Sequence, residues 1–294
     1  MTIIRTILAP LSDDETGRPL LETAFTVGQL FKAHVAALHV RPDPTASVPL
    51  VGEGMSGVMV EEMISTAEQQ TAEWAQKTRQ MYEEVRVARD IPIAGEPPLT
   101  DQPTSSWIED VGREEEVVAH RGRLFDLVVL GRLDPKRDEP SVLSINAALK
   151  ETGRPLLVAP PETPKAIGRH IAIAWNGSPE AIRAVIAAMP FLLRADKITV
   201  LTTASESRDD QREEEISGDE FANYLSWHRL KVDIRAFDST ASAAGEILLT
   251  QAGECNADML VMGAYTHGRL HNLIYGGITR HVLQNTPIPV LMRH

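Results

Sequence analysis

The sequence predicts an α/β fold in which parallel sheets are covered by helices, built from two tandem units of the same design. Buried apolar segments typical of strands alternate with segments that place apolar residues at helical spacing. The order of these segments in the first half of the chain is repeated in the second half. A length of 294 residues with 43% hydrophobic residues also allows two domains and two cores, and we expect the domains at residues 1–163 and 167–294.

The first half begins with a strand, a helix and a second strand. This order implies a right-handed crossover onto a parallel sheet, with the helix covering one face. The three segments are "TIIRTILAPL", "RPLLETAFTVGQLFKA" and "HVAALHV". The half closes with the helix "REEEVVAHRGRL", the strand "FDLVVLG", the helix "SVLSINAALKETG" and the strand "RPLLVAP".

The second half repeats this order segment by segment. Its segments are "GRHIAIAWNGS", "EAIRAVIAAMPFLLRA", "DKITVLTTA", "KVDIRAF", "SAAGEILLTQAGECN", "ADMLVMG", "GITRHVLQNTP" and "IPVLMRH". The best internal alignment pairs residues 125–132 with residues 257–264, and "TGRPLLVAP" with "TPIPVLMRH". In this alignment Asp126 and Asp258 each open a strand, and we expect both carboxylates to cap turns.

The two halves differ in length and meet in a segment that disfavours regular structure. That segment, "APPETPKAIG", contains three prolines and a glycine. The first half is longer by a Pro/Gly-rich loop and a helix on which Met63, Trp74 and Met81 lie on broadly similar faces. Met and aromatic residues at helical spacing are more typical of a core or an interface than of a cofactor site.

Composition excludes several classes of protein. With 29 basic and 41 acidic residues, the net charge of −12 disfavours nucleic acid and anionic membranes as partners. Residues 1–163 carry 16 basic and 26 acidic side chains, whereas residues 164–294 carry 13 and 15, so an anionic ligand meets less repulsion in the second half. One cysteine excludes an intrachain disulfide framework. The N-terminus has no signal-peptide pattern and no apolar run reaches ~18 residues, so we expect a cytoplasmic protein.

Three segments of the second half carry a resemblance to a known family. The chain resembles a tandem universal stress protein in "IAIAWNGSPEAIRAV", "ADMLVMGAYTHGRL" and "GGITRHVLQNTPIPVLM". In the first half, "DLVVLGR" and "TGRPLLVAP" carry the resemblance. It implies two universal-stress-protein-like domains, each an open parallel five-stranded sheet with helices on both faces, a Rossmann-like fold of the nucleotide-binding type. Members commonly pair through their last strands, which implies an internal pseudo-dimer here and also allows a homodimer.

Many members of this family bind ATP with an acid after the first strand and a glycine loop. The loop reads Gly, two residues, Gly, nine residues, Gly, then Ser or Thr; other members lack it and bind no nucleotide. Gly263 matches the first glycine and Gly276 the third, but Thr266 stands at the second and Gly277 replaces the Ser/Thr. Gly268 comes two residues after Thr266, so a loop of altered shape is an alternative.

The residues around the loop retain part of the chemistry of an anion site. Asn176 replaces the acid after the first strand and keeps hydrogen-bonding capacity without the charge. Gly276 and Gly277 precede a predicted helix whose N-terminal N–H groups and dipole favour an anion. Thr279 adds a hydroxyl, and Arg280 or His281 would add charge if they face the site. Paired glycines before a helix also serve simple chain reversal, so both interpretations stay open.

The predicted ligand-binding residues lie at the carboxyl ends of the second-half strands, where open sheets bind ligands. They are Asn176, Gly177, Ser178, Gly263, Thr266, His267, Gly268, Gly276, Gly277 and Thr279. We predict no catalytic residue and no metal site. His267 and His271 are four residues apart, but no cysteine or acid completes a ligand set. Ser178 precedes Pro179 and Glu180, which favours a helix N-cap over a nucleophile.

The first half lacks most of this pattern. Its matching loop, "GRLDPKRDEPSVLSINAAL", has one glycine, and Asp134, Asp138 and Glu139 would repel phosphate. Pro10 is aligned with Trp175 of the second half. We therefore expect a degenerate, nucleotide-free domain.

These observations favour a stress-response regulatory or binding protein over an enzyme. The predicted ligand is ATP or another adenine nucleotide in the C-terminal domain only, with Mg²⁺ if ATP is bound. One alternative is a nucleotide-free structural or partner-binding module, which Thr266, Gly277 and Asn176 favour. The other is a weak ATPase, which would need a metal-holding acid and a group that positions water.

Overall fold

The first half of the chain contains five strands and four α-helices among the residues that the computed structural model describes, which are 3–11, 14–43, 57–99, 101–133, 140–203, 216–238, 243–264 and 277–294. A short 3₁₀ helix, Gly122–Leu124, precedes the fourth strand. The elements are β1 (Thr6–Pro10), α1 (Asp14–Phe31), β2 (His34–Arg41), α2 (Gly57–Ala88), β3 (Thr104–Val111), α3 (Glu114–Arg121), β4 (Leu127–Gly131), α4 (Pro140–Lys150) and β5 (Leu156–Ala159).

The second half has the same succession of strands. Its elements are β6 (His170–Ala174), α5 (Pro179–Leu192), β7 (Lys197–Thr203), α6 (Gly218–Trp227), β8 (Asp233–Phe237), α7 (Ala244–Glu254), β9 (Met259–Gly263), α8 (Gly277–Asn285) and β10 (Val290–Arg293). Two helices begin with side-chain caps. The hydroxyl of Ser178 accepts a hydrogen bond from the Ala181 N–H at the start of α5, and Ser217 forms a capping box with Glu220 in α6. The predicted N-cap at Ser178 is thereby confirmed.

All ten strands form one sheet. Their order is β3-β2-β1-β4-β5-β10-β9-β6-β7-β8. Counted from the centre of the sheet outward, equivalent strands of the two halves therefore follow in the same order. Every pairing within a half is parallel, whereas β5 and β10 pair antiparallel at the centre, with Leu157 opposite Leu291. The predicted open α/β fold is confirmed, and the two five-stranded sheets are joined edge to edge through their last strands. The domain boundaries at residues 163 and 167 stay predictions.

The cores are divided by the faces of the sheet. One apolar cluster lies under α1, α2, α5 and α6, and the other lies under α3, α4, α7 and α8. Each cluster includes buried residues of both halves. We expected two cores from the chain length, and two are present, but each extends across the whole sheet because β5 and β10 are continuous with their neighbours.

Strand β3 was not predicted from the sequence. It begins with Thr104, Ser105 and Ser106 and ends with charged residues, so it lacks the apolar run of a buried strand. Its position is fixed by eight residues of parallel pairing with β2. The hydroxyl of Tyr82 on α2 also bonds the buried Ser105 hydroxyl at 2.8 Å. Polar side chains are tolerated here because neighbouring groups satisfy them.

The long helix α2 lies only partly against the core. Met81 is buried at 4% exposure, as predicted for a core residue. Met63 and Trp74 are 41% and 55% exposed, so these two side chains are outside the core. No helix in the described part of the chain is long and apolar enough to cross a membrane.

The strand register corrects one detail of the internal alignment. The Leu11 N–H donates to the Leu38 carbonyl at 2.7 Å, and the Trp175 N–H donates to the Leu201 carbonyl at 2.9 Å. Leu11 and Trp175 are therefore equivalent, and the predicted match of Pro10 with Trp175 is wrong by one residue. The error arose because apolar strands of similar composition can be aligned in several registers.

In each half, one aspartate caps the backbone N–H groups at the start of the first strand. Asp126 accepts hydrogen bonds from the backbone N–H groups of Arg5 and Thr6 at 2.9 and 3.1 Å. In the second half, Asp258 accepts from three consecutive N–H groups at 2.8 to 3.2 Å, those of Gly168, Arg169 and His170. Their predicted capping role is confirmed.

We predict that Asp258→Ala lowers the free energy of unfolding by about 2 to 3 kcal/mol, because several backbone donors lose a charged acceptor. Urea denaturation followed by circular dichroism measures this change. Asp196→Ala is the matched control, since Asp196 bonds only the exposed side chain of Arg169 among the described residues and should leave the midpoint unchanged. Equal midpoints for both variants would contradict the capping role of Asp258.

Candidate functional site

A pocket opens at the carboxyl ends of β6, β7 and β9, the edge of an open parallel sheet where ligands commonly bind. The empty space between its walls, counted out into the open solvent at its mouth, is about 630 Å³. The described residues that line it are Ala174, Trp175, Asn176, Leu201, Thr203, Phe237, Ala244, Leu248, Met262, Gly263, Ile278 and Thr279.

Most of the pocket wall is apolar and fixed by the core. Leu201, Leu248 and Met262 are at most 5% exposed, so their side chains are held by packing from behind. Trp175 stacks on Phe221 with ring centroids 3.7 Å apart and nearly parallel planes. Its indole N–H donates to the Ile216 carbonyl at 2.9 Å, so the ring is held beside α6. Such a wall suits a flat aromatic group.

Three polar side chains break this apolar lining, namely Asn176, Thr203 and Thr279. Asn176 lies two residues after the end of β6, and its side-chain oxygen accepts from the Ser178 N–H at 3.2 Å. Thr279 belongs to the first turn of α8 and is 5% exposed. None of the described lining residues is ionisable, so the polar contacts available on these walls are amide and hydroxyl groups.

Three of the predicted site residues line this pocket, namely Asn176, Gly263 and Thr279. Gly177 and Ser178 form the turn between Asn176 and α5 and do not line the pocket. Gly177 has φ +70°, a backbone conformation that favours glycine, and the Ser178 hydroxyl is engaged in the helix cap. Both residues therefore have a structural role beside the predicted one.

The remaining predicted residues fall into two groups. Gly277 is the first residue of α8, is exposed, and has open space where a Cβ would stand. Thr266, His267, Gly268 and Gly276 lie outside the described residues, and the same is true of His271 and of Asp134, Asp138 and Glu139 in the first half. Within the described part of the chain, no group of three or more His, Cys, Asp or Glu side chains could hold a metal ion.

The two basic residues considered for the site lie elsewhere on α8. Arg280 is exposed and is not among the described lining residues. His281 packs on α7, where a Cβ at Gly245 would come within 2.7 Å of the His281 Cβ. Gly245 thus allows α7 and α8 to approach closely behind the pocket.

One cation close to this edge was not predicted. Arg293 ends β10 and pairs in register with Gly263 of β9. Burial lowers the pKa of its guanidinium, and the positive charges of Arg154 and Arg183 lower it further. A penultimate arginine carries no sequence signal of this placement, because its position depends on the register between β9 and β10.

Sequence reasoning also missed most of the apolar wall. Leu201, Phe237 and Leu248 come from three different elements and look like ordinary core residues in the sequence. Only the carboxyl-end rule for β7 and β8 could have indicated Leu201 and Phe237. The wall is therefore a product of the tertiary arrangement.

Gly263 has a steric role at this site. A Cβ there would lie 2.6 Å from the Ala181 nitrogen and 2.7 Å from the Glu180 carbonyl carbon. Because these are backbone atoms of α5, they cannot move away as a flexible side chain could. The absence of a side chain at Gly263 lets the first turn of α5 pack against the end of β9.

We predict that Gly263→Ala destabilises the protein by about 1 to 3 kcal/mol, because the added methyl group displaces the start of α5. The equivalent Gly131→Ala is the matched control, since nothing lies within 4 Å of a Cβ at that position. It should unfold within about 1 kcal/mol of the wild type. Thermal denaturation of both variants tests this, and an equal loss of stability in the two would contradict the steric argument.

Comparison with known proteins relates this chain to a family and to solved structures of similar architecture. A universal stress protein from Archaeoglobus fulgidus DSM 4304 is 13% identical with a TM-score of 0.66, covering 98% of this chain and 97% of that one. A functionally unknown protein from Pseudomonas aeruginosa PAO1 is 14% identical with a TM-score of 0.54, covering 99% and 92%. At these identities the likeness concerns the fold, and it includes both halves. A search of curated protein sequences found no match.

The family model of the universal stress proteins matches residues 168–294. This span begins just before β6 and ends with the chain, so it contains the whole pocket. Its match agrees with the resemblance found in the sequence, which was strongest in the same half. Residues 168–294 therefore carry a universal stress protein domain.

Proposed function

We propose that the second half binds an adenine nucleotide and that the chain is a regulatory binding protein of the stress response. The observation that carries this proposal is a single pocket that combines apolar walls with the start of a helix. The base would lie among Leu201, Phe237 and Leu248, and the phosphates would lie at the first turn of α8.

The start of α8 supports the phosphate part of the proposal. The first N–H groups of a helix have no intrahelical acceptor and, together with the helix dipole, favour an anion. Gly277 leaves the approach to these groups open, and the Thr279 hydroxyl lies in the pocket wall. Mg²⁺ would accompany ATP and would be held mainly by the phosphates and water, with Asn176 as the nearest amide oxygen donor among the described lining residues.

The same proposal gives the first half a supporting role. Leu11 stands where the second half has Trp175, and the predicted loop of the first half is acidic. We propose that it binds no nucleotide and forms an internal pseudo-dimer with the second half. The antiparallel pairing of β5 with β10 supports this arrangement.

A nucleotide-free module that binds a partner protein is the second candidate. Two predicted site residues, Ser178 and Gly263, have structural roles that would keep them in place without any ligand. Hydrolysis is not part of either proposal, because no ionisable side chain occurs among the described lining residues to activate water.

We expect Gly277→Glu to weaken ATP binding at least tenfold, because a carboxylate at the start of α8 would repel the phosphates. The substitution should not destabilise the helix, since the Cβ meets no neighbour and a negative charge is favourable at a helix N-terminus. Gly277→Ser restores the hydroxyl of the family pattern and should bind ATP at least as tightly as the wild type. Calorimetric titration with ATP and Mg²⁺, preceded by native mass spectrometry of the freshly purified protein, measures both.

Adenosine is the control ligand for this pair of variants. It lacks phosphates, so its affinity should be the same for Gly277→Glu, Gly277→Ser and the wild type. Loss of adenosine binding in Gly277→Glu would place the base, rather than the phosphates, at the helix start. If the wild type binds neither ligand, the nucleotide proposal fails and the partner-binding module is favoured.

A further inference from the structure

We propose that the first half positions the ligand pocket of the second half by capping the C-terminus of α8 with Arg132 and Leu133. The ligand part of this inference rests on the proposed function. The structural part concerns α8 alone, the helix whose first turn contributes Ile278 and Thr279 to the pocket wall.

The C-terminus of α8 lacks the donors to complete its own hydrogen bonds. The Leu283 carbonyl would pair with the N–H of residue 287, but that residue is proline and has none. The Gln284 carbonyl would pair with the N–H of Ile288, which instead donates to the Thr286 hydroxyl at 3.3 Å. Two carbonyls at this helix end therefore need partners from outside the helix.

Both partners come from the first half. The Leu133 N–H donates to the Leu283 carbonyl at 2.9 Å. The Arg132 guanidinium donates to the Gln284 carbonyl at 3.0 Å. Leu133 is 4% exposed and Leu283 is fully buried, so water cannot easily replace the first bond. The positive charge of Arg132 also lies at the negative end of the helix dipole.

The described residues of the second half do not cap a first-half helix in the same way. The second-half equivalent of Arg132 is Ala264, which is fully buried and has no side-chain donor. The corresponding end of α4 is served by first-half groups, with Thr152 donating to the Ala148 carbonyl and Arg123 donating to the Glu151 carbonyl at 3.2 Å. Among the described contacts, the guanidinium cap therefore acts from the first half onto the second.

The antiparallel centre of the sheet explains how this contact forms. Since β5 and β10 run in opposite directions, the carboxyl ends of the first-half strands lie at the edge opposite the pocket. The segment after β4 emerges at that edge, where α8 ends. The nine residues of α8 then span about 13 Å to the pocket. Because the helix is short and packs closely on Gly245, a shift of its C-terminus would move its first turn.

The test uses three variants of the full chain. Arg132→Met removes the donors and keeps the aliphatic part of the side chain, whereas Arg132→Lys keeps a cationic donor. Arg123→Met is the matched control, because Arg123 caps α4 and makes no described contact with α8. Hydrogen exchange is measured without ligand over residues 281–286, whose N–H groups report the opening of α8. The dissociation constant for ATP with Mg²⁺ is measured by calorimetry.

We expect Arg132→Met to raise exchange over residues 281–286 about tenfold and to weaken ATP binding about fivefold to tenfold, the size expected for the loss of one ordinary hydrogen bond. Arg132→Lys should restore most of both quantities. Arg123→Met should leave both unchanged, although it loosens α4.

The outcomes separate this inference from the proposed function. Unchanged exchange in Arg132→Met would overturn the capping role whether or not ATP binds. Raised exchange with an unchanged dissociation constant would overturn the positioning role. If the wild type binds no ATP, the proposed function fails. In that case, raised exchange confined to α8 in Arg132→Met still supports the capping role, and exchange equal to that of the wild type overturns it.

Discussion

The pairing of β5 with β10 is the constraint on which the rest of the structure depends. Both strands are the last of their half, and all four residues of β5 are buried. Apolar on both faces, each would present an unpaired edge to water if it stood alone. Pairing the two edges satisfies their backbone groups and joins the two five-stranded units into one sheet. The apolar clusters on both faces then extend across the junction.

The direction of this pairing places the two halves in a fixed relation. Parallel strands within each half bring their carboxyl ends to one edge, and the antiparallel centre puts the two sets of carboxyl ends at opposite edges. Besides the sheet and the apolar clusters, the halves also meet at the helix ends, where Arg132 and Leu133 bond carbonyls of α8.

The two halves retain the same backbone contacts while their side chains diverge. Asp126 and Asp258 hold the starts of equivalent strands, and Leu11 and Trp175 make the same backbone bond after them. Yet a Cβ would be tolerated at Gly131 and would clash with α5 at Gly263. The fold constrains the backbone at equivalent positions of the two halves, whereas the side chains at the carboxyl edge of each half can differ.

Glycine in a family motif can be kept for two physical reasons. At Gly263 the reason is steric, because the first turn of α5 occupies the space of a side chain. At Gly277 the space is open, so the lack of a side chain leaves the N-terminus of α8 accessible. Ser178 likewise has a structural reason to be kept, because its hydroxyl caps α5. A motif match alone does not separate these roles.

The sequence by itself determined the fold class and the repeated order of strands, and it indicated the sheet edge at which the pocket lies. Those features follow from apolar periodicity, helix caps at Ser178 and the glycine pattern after β9, which are local. It did not reveal β3, whose polar side chains bond Tyr82 of α2 and His34 of β2. Only the tertiary structure decided the register in which β5 joins β10, the register of Leu11 with Trp175, the apolar pocket wall and the cap of α8 by Arg132. Each of these depends on contacts between residues far apart in the chain, and local sequence patterns carry no information about such contacts.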